Sequence, residues 1–101
     1  MRETGRDGFQ SRIIRKLKHT FPGCLVLKND PFYIQGVPDL LVLNGNRWAA
    51  LEIKGSRKAD HRPNQEWYVN VMNAMSYAAI IFPENEDRIF DELQHALESD
   101  R

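Results

Sequence analysis

This 101-residue sequence has a single cysteine, Cys24, and no apolar run longer than about six residues. One cysteine excludes an internal disulfide and fits a reducing cytosol. Standing at the head of an apolar segment, Cys24 is predicted to be a small hydrophobe at the start of a buried strand. Without a long apolar run there is no membrane-spanning helix. The N-terminal MRETGRDGFQ lacks the apolar core of a signal peptide. An excess of one charge is missing as well, with 14 Lys and Arg against 14 Asp and Glu, so net charge gives no sign of a nucleic-acid partner.

The charges are nevertheless segregated. Residues 1–28 carry seven basic and two acidic side chains, and residues 83–101 carry two basic and seven acidic. Such a chain can present a cationic face locally. Equally, its two ends can be solvated helices that attract each other. An apolar content of 42% with 28% charged residues is that of a globular chain, and the length predicts one domain.

Phe9, Ile13, Ile14 and Leu17 recur at helical spacing, predicting a helix over 6–19, with Arg12, Arg15, Lys16 and Lys18 on its other face. Pro22-Gly23 stops it. Residues 24–28 read as a strand that Asn29-Asp30-Pro31 breaks, followed by a loop bearing Phe32 and Tyr33. Residues 39–43 and 47–54 are two strands around Asn44-Gly45-Asn46, a tight-hairpin signal. Pro63 suits the first turn of a helix running to Met75, with Trp67 assigned to the core. Residues 76–82 form a strand apolar on both faces, as expected beneath helices. A last amphipathic helix, 84–98, is built on Ile89, Phe90, Leu93 and Leu97. The order is α-β-β-β-α-β-α, an α/β fold.

If the hairpin turns on Gly45-Asn46, paired positions sum to 91 and Asp39 lies across from Glu52. Cross-strand Cβ atoms on one face are about 5 Å apart, and strand alternation adds Lys54 to that face while Leu51 and Ile53 point into the core. Two ionised carboxylates at that distance repel by roughly 3 kcal/mol at an effective dielectric near 20. A divalent cation would relieve this, and hard oxygen ligands suit Mg²⁺ or Mn²⁺. The alternative is that Lys54 neutralises the pair in an ordinary surface network.

Gly36-Val-Pro-Asp39, followed on the next strand by Glu52-Ile-Lys54, resembles the PD-(D/E)XK nuclease superfamily. GVPDLLVL, then ALEIKG, then the Gln of RPNQEWY is similar to its VRR-NUC and Holliday-junction-resolvase-like branch. The resemblance covers residues 6–82. It implies a restriction-endonuclease-like αβββαβ core, a central mixed sheet flanked by helices, to which this chain adds a C-terminal helix. It also implies that Asp39, Glu52 and the backbone carbonyl of Ile53 ligate Mg²⁺, for which Mn²⁺ substitutes. The ion then lowers the pKa of the attacking water, while Lys54 positions or deprotonates that water or contacts the phosphate. Gln65, at the start of the following helix, would contact a phosphate or the water, with Tyr68 on the same face; taken alone, Gln65 is also a capping residue.

Many members of the family it resembles carry a Glu in the first helix that completes the metal site. Here Gln10 and Asp7 are nearest, and Gln10 can ligate only through its amide oxygen. Lys28, Arg57, Lys58, His61 and Arg62 flank the site as candidate phosphate contacts, extended by Arg12, Arg15, Lys16 and Lys18; as single residues they also read as ordinary surface charges. His61 lacks a partner at ligand spacing.

The implied activity is DNA phosphodiester hydrolysis leaving a 5′-phosphate. So small a domain favours recognition of branched junctions or flaps by shape. By analogy the enzyme is a homodimer through Phe32-Tyr33 and the C-terminal helix, encoded by a bacterium or phage and working in the cytoplasm. The alternatives are a nucleic-acid-binding module with a degenerate nuclease fold, and an RNA-directed nuclease.

Overall fold

The computed structural model describes residues 5–98. Helix α1 (Gly5–Thr20) buries Phe9, Ile13 and Leu17, one residue every four, and so lays a single apolar stripe on the sheet. Strand β1 (Leu25–Lys28) pairs antiparallel with β2 (Leu40–Asn44), which pairs antiparallel with β3 (Arg47–Ile53). Helix α2 (Pro63–Met75) then carries the chain to β4 (Tyr77–Ile81), parallel to β3. A 3₁₀ turn, Pro83–Asn85, leads into α3 (Glu86–Glu98). The result is an α/β domain with one four-stranded mixed sheet, ordered β1-β2-β3-β4, and three helices. No helix among the described residues is long and apolar enough to cross a membrane.

The hairpin has the expected register, running from Asn44 opposite Arg47 to Leu40 opposite Leu51. Gly45 takes φ +65° while Asn46 keeps a negative φ, the pattern of a two-residue turn with glycine at its first central position. Alternation along the strands separates two apolar clusters. Leu40, Val42, Ala49, Leu51 and Ile53 pack with α1 and α3. On the opposite face Leu41, Trp48, Ala50 and Ala78 pack with Val69 and Met72 of α2.

Two expectations are corrected. The first strand is an open edge, not a buried strand: Leu25 and Leu27 are 59% and 45% exposed, because α2 lies over β3 and β4 and leaves the β1 end of its face uncovered. Cys24 precedes that strand half-buried, and burial pushes its thiol pKa up. Trp67 is 57% exposed. Val69 and Met72 face the sheet from α2, and a residue two before Val69 is turned about 200° around the helix. Its ring instead meets Tyr68 edge-on, centroids 4.9 Å apart.

The segregated charges draw the two terminal helices together. Arg12 donates through both terminal nitrogens to the Glu86 carboxylate, each at 2.8 Å, and Lys16 donates to it at 2.8 Å. Burial alone would raise the Glu86 pKa, but these hydrogen bonds hold it below its ordinary value. The α3 carbonyls of Leu97 and Ala96 accept from Asn44 and Arg47 beside the hairpin turn, which caps the helix C-terminus.

Candidate active site

The open end of the β2–β3 hairpin, the start of α1 and the start of α2 enclose a cleft of about 670 Å³ lined by Arg6, Asp39, Glu52, Lys54, Arg62 and Gln65, among others. An adjoining cavity of about 290 Å³, under the loop at 31–37, shares Asp39, Glu52, Arg62 and Gln65.

Asp39 sits one residue before the β2 ladder begins, and its side chain takes over from backbone pairing. Its Oδ2 accepts the Ile53 N–H at 2.7 Å. Asn29 fixes the backbone at the same point: its amide donates to the Pro38 carbonyl at 2.6 Å, and its N–H donates to the Asp39 carbonyl at 2.9 Å. The residue that breaks the first strand is thus the clamp that aims the carboxylate.

Glu52 is only 3% exposed. Burial, then the charge of Asp39, pushes its carboxyl pKa up to about 7, against the opposing pull of Lys54 and Arg6. Lys54, also buried, places its Nζ 3.6 Å from Glu52 Oε2 and donates to Gln65 Oε1 at 2.8 Å. That same Gln65 oxygen accepts the Arg62 N–H at 3.3 Å, so the capping reading of Gln65 holds, and the side chain also fixes Lys54, a contact the sequence did not suggest.

A residue that sequence reasoning missed completes the arrangement. Arg6, in the first turn of α1, donates from Nη2 to Asp39 Oδ1 at 2.5 Å and from Nε to the Ile53 carbonyl at 3.2 Å. A lone arginine beside a helix start gives no signal of this in sequence; the contact spans 33 and 47 positions. Gly36 opens the Gly36-Val-Pro-Asp39 segment for a local physical reason. It takes φ +91°, and a Cβ there would lie 2.7 Å from the Asn64 side chain, whose amide donates to the Gln35 carbonyl.

The fold brings Asp39, Glu52, Ile53, Lys54, Arg62 and Gln65 together, and leaves other expected residues apart. Gln10 is half-buried and does not line the cleft, and the exposed Asp7 lies 3.4 Å from Arg6. Tyr68 is turned against Trp67. Lys28 is exposed and opposite Leu40 at the end of β1, beside the site. Arg57 and Lys58 are exposed on the loop after Lys54. Arg12 and Lys16 pair with Glu86, Arg15 lines a neighbouring cavity that shares Gly5 and Gly55 with the cleft, and Lys18 is exposed. His61 Nδ1 is 3.7 Å from Glu66, and its buried Nε2 has no hydrogen-bond partner among the described residues.

The donor set suits a hard cation. Among the described residues no group of three or more His, Cys, Asp and Glu side chains could hold a metal ion, so two carboxylates would need a backbone oxygen as the third ligand. The Ile53 carbonyl and Asp39 Oδ1 already share one cationic partner, the Arg6 guanidinium. That partner shows that these oxygens point at a common position able to hold positive charge.

Compared with models of known families, with curated proteins and with solved structures, the chain matches none.

Proposed function

We propose that this protein is a divalent-metal-dependent endonuclease of the PD-(D/E)XK type that hydrolyses DNA, selects branched junctions or flaps, and leaves a 5′-phosphate. The observation that carries the reading is the convergence of Asp39, a buried Glu52 and the Lys54 ammonium in one cleft, with the Ile53 carbonyl held by Arg6 of the same cleft. A surface network that merely neutralised two acids would not need a carboxylate 3% exposed, since burying charge without compensation is costly.

Asp39, Glu52 and the Ile53 carbonyl would hold the ion. A bound Mg²⁺ or Mn²⁺ supplies a Lewis acid for the scissile phosphate and lowers the pKa of the attacking water. Lys54, steered by Gln65 and Glu52, directs a fixed positive charge at the oxygens where negative charge develops. Arg62 on the cleft wall, with Arg57, Lys58 and Lys28 nearby, supplies phosphate contacts that fix position without reading sequence. The homodimer expected by analogy loses one of its pieces, because the apolar side of α3 is buried in the core. The loop residues Phe32 and Tyr33, 95% and 83% exposed, remain for a second copy or for unstacked bases.

One observation favours the second reading, a nucleic-acid-binding module. Arg6 can itself neutralise Asp39, which would leave the fold stable without a metal. Cleavage of labelled four-way junction, flap, linear duplex and matched RNA separates the two, run with Mg²⁺, Mn²⁺ or EDTA and with Lys54→Ala beside the wild type. Metal-dependent cutting of branched DNA that disappears in the variant is the expected result. Intact binding with no cutting of any substrate would leave the binding module.

A further inference from the structure

Arg6 stands where the proposed metal chemistry needs a cation. Asp39 has one oxygen committed to the Ile53 N–H and offers the other, Oδ1, to the cleft. Arg6 Nη2 holds that oxygen at 2.5 Å, while Nε holds the Ile53 carbonyl at 3.2 Å. A planar guanidinium bridging two acceptors is a geometry that lysine could not reproduce. Gly55 packs closely beneath this arginine: an added Cβ would lie 3.3 Å from the Arg6 backbone nitrogen, a tight contact.

We infer that Arg6 is the resident cation of this site and competes with divalent metal for Asp39 Oδ1 and the Ile53 carbonyl, so that Arg6 sets how tightly metal binds. The inference rests on the metal-site reading proposed above. The guanidinium fills the space beside Asp39 Oδ1 and the Ile53 carbonyl that an ion ligated by both oxygens would need, and its charge repels that ion. Departure of Arg6 is inexpensive, because its side chain is 43% exposed and lies in the first turn of α1; it can swing into solvent without opening the core.

Calorimetric titration of Mn²⁺ into the metal-free protein tests this, comparing wild type with Arg6→Gln and using Asp39→Asn as the variant that abolishes binding. Arg6→Gln is expected to bind Mn²⁺ more tightly by on the order of tenfold, the equivalent of one or two partly exposed charge-assisted hydrogen bonds. In unmutated protein the Arg6 Nε–H resonance should shift as Mg²⁺ is added and saturate with the Kd that calorimetry gives for Mg²⁺. A merely structural Arg6 would lower the melting temperature of the variant but would not tighten Mn²⁺. Equal affinities, or weaker binding by Arg6→Gln, would overturn the competition and leave the metal site standing. Absence of Mn²⁺ binding in wild type and variant alike would remove the metal site itself, and the competition with it.

Discussion

Gln65 Oε1 accepts a hydrogen bond from Lys54 Nζ at 2.8 Å and a second from the backbone N–H of Arg62 at 3.3 Å. One amide oxygen thus joins the start of α2 to the only buried lysine among the described residues. Gln65→Ala should cost about 1 kcal/mol of stability through the lost cap. On the nuclease reading proposed above, it should also slow cleavage by roughly 10- to 100-fold, as expected when a group at the reacting centre loses its orientation. Single-turnover kinetics beside urea melts separate the effects; a rate unchanged while stability falls would leave Gln65 as a cap alone.

Glu52 makes the metal-free protein sensitive to pH. Its carboxyl pKa is about 7 in the folded chain against an ordinary 4.5, so between these values the folded state holds a proton that the unfolded state has released. Stability therefore falls as pH rises through that window. At 1.36 kcal/mol per pH unit, the loss is at most about 3 kcal/mol and is complete above pH 7. In EDTA, Glu52→Gln should stabilise the protein at pH 8 and leave it unchanged near pH 4. Urea melts at both pH values check this, and equal effects at the two would refute it.

Glu86 should show the opposite sign. Its pKa is held low by Arg12 and Lys16, so its contribution is present above pH 4.5 and is lost as pH falls through the folded-state value. Glu86→Gln should cost about 1–3 kcal/mol at pH 7, as for a hydrogen-bonded carboxylate. For the DNA binding proposed above, Arg12→Ala should leave the salt dependence nearly unchanged, because Arg12 already serves Glu86. Arg62→Ala should lower that slope by about one, the loss of a single phosphate contact.

Gly36→Ala should cost about 1–3 kcal/mol, because it combines a residue at positive φ with a contact of 2.7 Å to Asn64. Pairing it with Asn64→Ala should recover only part of that loss, since the backbone strain persists. Thermal melts of the three variants give the partition, and complete recovery would show that crowding alone makes glycine necessary here.

Much of the architecture was readable along the chain because it depends on local periodicity. The four-residue spacing of Phe9, Ile13 and Leu17, the proline opening α2 and the Asn-Gly-Asn turn each act within a few residues. The hairpin register carried the site as well. A sum of 91 puts Asp39 beside Glu52 and the alternation puts Lys54 on the same face, and the residues meet at the mouth of one cleft. The first strand forms where expected but is not buried, and Trp67 is exposed, since apolar character does not reveal which part of a sheet face a helix will cover.

The sequence by itself determined the order of elements, the hairpin register and the residue types at its open end, because hydrophobic periodicity and turn chemistry act over short spans. Only the tertiary structure decided which charges meet. Arg6 reaches Asp39 across 33 positions, and Arg12 and Lys16 reach Glu86 across 74 and 70. Ion pairing depends on separation in space, and the folded core sets that separation after the periodic pattern has chosen which faces are buried.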